Sequence, residues 1–257
     1  MSDAAERARV LRDLHRPGDP LVLFNVWDVA SARVVAGTPG CLALATASWS
    51  IAAAHGYPDG EQIPLGLMLA AIERIVAAVD LPVTADLESG FGDDPHAVAE
   101  TVARAIAVGA VGLNLEDALR PTEEHAARVA AVRARGEREG VPIVINARTD
   151  EYLLGDGNLD AALARGRAYV EAGADCIFVP GLHDLEALRH LADEMGAPIS
   201  MLARPTSPSL TDLAAAGVAR VSVGPGSLGV AYGALADGAA EILGGAWPAT
   251  LTYRPPA

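Results

Sequence analysis

Short apolar runs and longer amphipathic segments alternate along the whole chain, and this alternation constrains the fold more than any other feature. The apolar runs are "LVLFNVWD", "CLALATASW", "LPVTADLES", "VGLNLEDA", "PIVINARTD", "ADCIFVPG", "PISMLARPT" and "RVSVGPG". Between them lie stretches such as "DPHAVAETVARAIAVG", "TEEHAARVAAVRARGEREG", "NLDAALARGRAYVEAG" and "DLEALRHLADEMG". Their apolar residues recur at i, i+3, i+4 and i+7, the spacing of a helix packed on one side. Several begin at Asp, Thr or Asn, which suit N-caps, and several end at Gly. Strands that are apolar throughout are buried on both faces, as in a parallel sheet covered by helices. About eight such β–α pairs suit closure into a (β/α)8 barrel. An open, doubly wound sheet is the alternative. No linker or change of composition divides the chain, so residues 1–257 are expected to form one barrel domain.

Composition narrows the partners. Hydrophobic residues make up 51% of the 257, ample for a core of this size. The net charge of −14 argues against nucleic acid and anionic membrane, both of which need a basic surface. A small anionic substrate would need a local cation. No apolar run approaches twenty residues, and the charged N-terminus "MSDAAERARVLRDLHRPG" lacks the apolar centre of a signal peptide. A cytoplasmic location is expected. The two cysteines, Cys41 and Cys176, open apolar runs and read as buried free thiols.

In a barrel the C-terminal ends of the strands form the active face. The third predicted strand ends in Asp86 and Glu88, the fourth in Asn114, Glu116 and Asp117, and the fifth in Asn146, Arg148 and Asp150. The first adds Asn25 and Asp28, the second Ser48. Residues two apart in a strand share a face, so Asp86 and Glu88 are expected side by side. Two adjacent carboxylates repel unless a cation lies between them. Mg2+ prefers oxygen ligands, often one or two carboxylates completed by water or substrate. Asp86, Glu88 and Glu116 therefore read as a metal site, and Arg148 beside it as the holder of a substrate carboxylate.

Helix capping or rim ion pairs are the plainer reading of any single acid. Asp93 and Asp94, before Pro95, suit an N-cap, and Asp117 and Asp150 should point away from the barrel axis as structural residues. "VGPGS" at the end of the eighth strand could cradle a phosphate or simply make a tight turn. His15, His96, His125 and His190 fall in helical or terminal segments and read as solvated. His55 and His183 lie on the active face without obvious partners.

Taken in order, "FNVWDVASARVV", "ASWSIAAAHGYPDGE", "VTADLESGFGD", "GLNLEDA" and "INARTD" resemble the isocitrate lyase/phosphoenolpyruvate mutase superfamily, most strongly from Phe24 to Asp150. The resemblance implies a (β/α)8 barrel whose last helix is often swapped between subunits, giving a homodimer or homotetramer. It implies Mg2+ or Mn2+ and a 2-oxo acid or its enolate. Asp86 would be the closest metal ligand. Glu88, Glu116 and Asp59 would act directly or through water, Arg148 would hold the carboxylate, and the backbone of Ala47 and Ser48 would contact it from the other side. Many members carry aspartate where Glu88 stands. After Glu116, "EDALRPTEEHAARV" runs almost directly into a helix, without the cysteine of the lyases' catalytic loop or the lysine and asparagine of the mutases. The chain thus resembles an oxaloacetate decarboxylase-type or methylisocitrate lyase-like member with a shortened loop. The expected reaction is cleavage of a C–C bond in a small 2-oxo or 2-hydroxy di-acid, with Tyr57 or water protonating the enolate. Chemistry at a C–P bond, as in phosphonopyruvate hydrolysis or phosphoenolpyruvate mutation, is the alternative on the same fold. An inactive barrel that binds a metabolite is the alternative of another class.

Overall fold

A computed structural model describes residues 3–252. Helix α1 (Asp3–Asp13) precedes β1 (Leu21–Leu23) and β2 (Asn25–Val26), which are two halves of one strand broken at Phe24. There follow α2 (Val29–Ala36), β3 (Leu44–Thr46), α3 (Ser48–Ala54), α4 (Leu65–Ala77), β4 (Val83–Asp86), α5 (Pro95–Ala107), β5 (Gly112–Glu116) and α6 (Thr122–Arg138). The chain continues through β6 (Val144–Arg148), α7 (Leu159–Glu171), β7 (Cys176–Phe178), α8 (Leu185–Glu194), β8 (Ile199–Leu202), α9 (Leu210–Ala215), β9 (Val218–Ser222) and α10 (Gly226–Leu243).

All strand pairings are parallel, and the order β1-β9-β8-β7-β6-β5-β4-β3-β2 brings the sheet back to its starting strand. β1 pairs with β9, Leu21 opposite Arg220, while β2 pairs with β3, Asn25 opposite Ala45. The ring closes through Phe24, so the fold is a (β/α)8 barrel and not an open doubly wound sheet.

The helices begin where the sequence signals them. Asp28, Asp94, Asn158 and Asp184 each accept a hydrogen bond from the backbone N–H three residues on, at 2.7, 2.8, 3.0 and 2.8 Å. Each satisfies one of the N–H groups a helix start leaves unpaired. Asp94, not Asp93, caps α5. Ser48, expected on the second strand, is not on it: β3 stops at Thr46, and Ser48 opens the short helix α3.

Two histidines expected at the surface are buried. His15, just past α1, donates from Nδ1 to the Leu11 carbonyl at 2.8 Å. His125 lies on the inward face of α6 with Arg128, Val129 and Val132, its ring edge-on to Tyr169 at 4.6 Å. Loss of hydration pushes both down to about 4, so both are neutral at pH 7. His125 belongs to the very stripe that packs α6, which is why a helical segment did not mean exposure. Cys176 is buried and Cys41 half-buried in the loop before β3; both are free thiols.

Helix α10 stands off the barrel. Ser227 and Leu228 in its first turn are buried, but Val230, Tyr232, Leu235 and Leu243 are exposed. Between its first turns and α2 runs an apolar cavity of about 610 Å³, lined by Phe24, Trp27, Val34, Val35, Val230 and Ala231. No helix among the described residues is long and apolar enough to cross a membrane.

Candidate active site

β4 delivers Asp86 at its C-terminal end. Its own N–H donates to Thr46 Oγ1 at 2.9 Å. Its Oδ2 accepts from both the backbone N–H and the hydroxyl of Ser48, at 3.0 and 2.8 Å. Asn114 Nδ2 approaches Oδ1 at 3.5 Å. The carboxylate is therefore oriented by α3 and β5, while β3 holds the Asp86 backbone. Ser48 on the carboxylate and Thr46 on the backbone lie 38 and 40 residues away along the chain.

Glu88 reaches the same place by a different route from the expected strand alternation. β4 ends at Asp86, and Glu88 sits in a turn with φ 52°. Gly90 and Phe91 continue it at φ 101° and 51°. A side chain is disfavoured in this left-handed region, so the turn is held from outside. Arg128 of α6 donates to the carbonyls of Gly92 at 2.9 Å and Asp93 at 2.6 Å. Arg120 donates to the Ser89 hydroxyl at 3.1 Å. The α3–α4 loop locks in reciprocally: Glu61 N–H donates to Glu88 Oε2 at 2.6 Å, and Phe91 N–H to Glu61 Oε1 at 2.8 Å.

Glu116 and Arg148 are opposite one another in the β5–β6 register and form an ion pair at 2.7 Å. Arg148 Nε also donates to Asp150 Oδ1 at 2.6 Å. Asp150, expected to be remote structural support, thus fixes the guanidinium directly. Its other oxygen accepts from Ala118 N–H at 3.1 Å. Asp117 is wholly buried behind the site and accepts from Tyr169 Oη, Arg165 and two backbone N–H groups. Only residues 117–121 separate β5 from α6, and this connection takes Ala118 and Leu119 through φ 45° and 57°.

The remaining candidates divide. Asp59 stands at the edge of the loop, near enough for its charge to be felt by Asp86 and Arg148. Tyr57, in the same loop, is half-buried against the core. Asn25 has its amide engaged with backbone: Nδ2 donates to the Thr46 carbonyl, and Oδ1 accepts from Val223 and Gly224 N–H. Those last two N–H groups belong to "VGPGS", which is a tight turn tied to Asn25. The Ala47 N–H donates to Val26 at 3.3 Å and the Ser48 N–H to Asp86, so both are bonded within the chain. His55 and His183 bind Ile51 and Ser207.

The acids outnumber the positive charge that Arg148 brings beside them. Burial raises Glu88 to about 7, with Asp59, Asp86 and Glu61 adding to the rise. Glu116 rises to about 8: burial, Asp150, Asp86 and Glu88 together outweigh the Arg148 partner that favours its charged form. Among the described residues no three His, Cys, Asp or Glu side chains form a ready metal cage. The oxygens instead face Ser48, Glu61 and Arg148. One atom is an exception. Glu88 Oε1 is buried and has no hydrogen-bond partner. A carboxylate oxygen left without a donor is costly unless a cation or water meets it, and an all-oxygen set of acids suits a hard divalent cation.

The sequence model of phosphoenolpyruvate phosphomutase matches residues 11–243. The crystal structure of a putative phosphonomutase from Burkholderia cenocepacia J2315 superimposes with a TM-score of 0.87 at 49% identity, covering 91% of this chain and 97% of that one. The 2-methylisocitrate lyase of Escherichia coli K12 is 36% identical over 72% of this chain and 69% of its own. The oxaloacetate decarboxylase of Bradyrhizobium sp. BTAi1 is 31% identical over 91% of this chain and 84% of its own.

Proposed function

The chain belongs to the phosphoenolpyruvate phosphomutase family, within the isocitrate lyase/phosphoenolpyruvate mutase superfamily, and from that premise we propose a cytoplasmic enzyme that cleaves the bond between C3 of a small 2-oxo or 2-hydroxy acid and its substituent, leaving an enolate. The observation that carries this reading is the unpartnered Glu88 Oε1 among carboxylates whose pKa values are raised. Asp86, Glu88 and Glu116 would hold Mg2+ or Mn2+, with Asp59 beside them. Such an ion, when bound, supplies a Lewis acid that draws charge onto substrate oxygen. Arg148, its guanidinium fixed by Glu116 and Asp150, orients the substrate carboxylate so that the breaking bond is aligned. Ser48 keeps Asp86 from turning. Tyr57 is the candidate donor of a proton to the enolate carbon.

Two substituents fit. The matched family and the relative at 49% identity carry mutase names, which favours phosphorus: phosphonopyruvate hydrolysis or phosphoryl migration. The curated lyase and decarboxylase relatives favour carbon, with oxaloacetate or a related di-acid as substrate. The phosphorus reading stands first on these comparisons, and the C–C reading drawn from the sequence stands second. The exposed apolar side of α10 suits a second copy of the chain, in a homodimer or homotetramer.

Oxalate mimics a pyruvate enolate in shape and charge, so the test is calorimetric titration of oxalate with and without Mg2+, on wild type and Asp86→Ala. Metal-linked binding that Asp86→Ala abolishes supports the site; none in the wild type sinks it. Phosphate release from phosphonopyruvate, against pyruvate release from oxaloacetate, then separates the two substituents. Binding without turnover of either leaves a metabolite-binding barrel.

A further inference from the structure

Beneath the acidic rim the barrel interior is unusually polar, and one cation dominates it. Arg220, in the middle of β9, is 1% exposed. Its Nη2 donates to Asn114 Oδ1 at 3.1 Å, and its Nη1 stands 3.5 Å from His15 Nε2. Neither partner is a carboxylate, and Nε has no partner among the described residues. Burying a guanidinium in this way is costly, since its charge loses water without gaining an ion pair. Its strand neighbours Val218, Ala219 and Val221 show that an apolar side chain would be at home in this strand. Asn146 Oδ1, Thr84 Oγ1 and Ser200 Oγ are likewise buried without partners. Cores built for stability alone leave few such atoms.

The geometry around Asn114 says what Arg220 does. Asn146 Nδ2 donates to the same Oδ1 at 2.8 Å. With two donors on its oxygen, the Asn114 amide has only one arrangement, and that arrangement turns its NH2 toward Asp86 Oδ1. A flipped amide would set its NH2 against two other donors and its oxygen against a carboxylate. Ser48 holds the opposite oxygen of Asp86. The carboxylate is thus oriented from both sides, once directly and once through Asn114.

We propose that Arg220 is a positioning residue of the active site: acting through Asn114 from the barrel floor, it sets the direction of the Asp86 carboxylate. This rests on the reading of Asp86 as a residue of the ligand site. Its charge also reaches Asp86, which is among the groups favouring the protonated guanidinium against the burial that pulls Arg220 down to about 10. At neutral pH the floor of the barrel is therefore cationic beneath an acidic mouth.

The test is oxalate affinity at saturating Mg2+, measured by calorimetry on wild type, Arg220→Met, Arg220→Lys, Asn114→Ala and the Arg220→Met/Asn114→Ala double variant, with circular dichroism to show that each is folded. Loss of a buried, charge-assisted donor weakens oxalate binding by about tenfold in Arg220→Met. Arg220→Lys recovers part of the loss, because an ammonium can still donate to Asn114 Oδ1. The double variant binds no more weakly than Asn114→Ala alone, since both changes act on one path. Wild-type affinity in folded Arg220→Met, or additive losses in the double variant, overturns the inference. If Arg220→Met does not fold, Asn146→Ala removes the other donor to the same oxygen; it must also weaken binding, and wild-type affinity there is equally fatal. Asp86→Ala keeps the two questions apart. If it retains oxalate, the reading of the site fails; if it alone loses oxalate, only the role of Arg220 does.

Discussion

The mouth over β4, β5 and β6 and the flank formed by α10, α2 and the outer side of β1 are built on opposite plans. At the mouth, nearly every polar atom of the acids except Glu88 Oε1 is answered from within the chain, and the backbone is bent to achieve it. The left-handed non-glycine residues among those described, Glu61, Glu88, Phe91, Ala118 and Leu119, all lie in the loops after α3, β4 and β5. Each costs on the order of 1 kcal/mol or more; Glu61, Glu88, Phe91 and Ala118 are held by bonds to neighbouring loops or strands, and Leu119 by Asp117 of its own loop. Among the described residues, the flank has no non-glycine residue in the left-handed region. Val22, Phe24, Val230, Leu235 and Leu243 are 45, 40, 66, 67 and 88% exposed. The mouth is preorganised for something small, charged and oxygen-rich. The flank is apolar surface suited to another protein face. The contrast predicts that substitutions at the mouth change chemistry with little loss of fold, and that those on the flank do the reverse.

The largest effect should come from Glu88→Gln. It removes one charge and keeps the shape, and turnover should fall about a thousandfold, the scale of losing one preorganised electrostatic group. Stability should move the other way. Glu88 ionises near 7 in the folded chain and at its usual lower value when unfolded. Above pH 7 its buried charge therefore destabilises the fold, and that penalty fades as pH falls and the folded chain takes up the proton. The metal-free variant should gain roughly 1 to 3 kcal/mol at pH 8 in urea melts, a gain that shrinks toward pH 5. An active Glu88→Gln of reduced stability would make the mouth a structural rim.

Next is the pH dependence of metal-linked oxalate binding. A cation must displace the protons that Glu88 and Glu116 carry below about 7 and 8. Affinity should thus be full above pH 8 and fall about a hundredfold or more by pH 6. Calorimetry in buffers of different ionisation heat should show proton release on binding at pH 7. Affinity independent of pH would place the ligand away from these acids.

The same contrast explains what the sequence could reveal. Strands, helices and caps were legible because each is written in neighbouring residues: Asp94 before Pro95 caps α5, and Asn158 caps α7. Asp86, Glu116 and Arg148 were legible as polar ends of apolar runs. Glu88 was chosen on an alternation that stops at Asp86; a left-handed turn pinned by Arg128 brings it to the site, and no local pattern signals that. Ser48 and Thr46 gripping Asp86, Glu61 latching Glu88, and Arg220 under Asn114 all join residues at least 27 positions apart. Arg220 carried one usable hint, a lone arginine at the head of the run "RVSVGPG". His125 was misread because a helical stripe was counted as surface before its packed side was identified.

On the flank, Leu235→Asp should weaken self-association by about 2 kcal/mol, near thirtyfold, by placing a charge on the apolar side of α10. Sedimentation over a concentration series reads this directly. Metal-linked oxalate affinity of the dissociated chain then sharpens the comparison. If it is unchanged, the mouth is complete within one chain; if it collapses, the second copy supports the site and the two regions are one device. A wild-type chain that is monomeric at every concentration breaks the flank's half of the argument.

The smallest effects come from two helix caps, one on each side. Asp28 accepts from Ser31 N–H and, with the Ser31 hydroxyl returning to its own N–H, forms a reciprocal cap on α2. Asn158 caps α7 just beyond the loop that carries Asp150. Each cap replaced by alanine should cost about 1 kcal/mol, because one helix-start N–H loses its acceptor. In melts the two variants should look alike. They should differ in association and binding. Asp28→Ala loosens the helix lining the apolar cavity and should shift the sedimentation series while leaving oxalate affinity within about twofold. Asn158→Ala should leave association alone. If it weakens oxalate binding as well, α7 positions Arg148 through Asp150, and the preorganised region extends one helix further round the barrel than its strained turns mark.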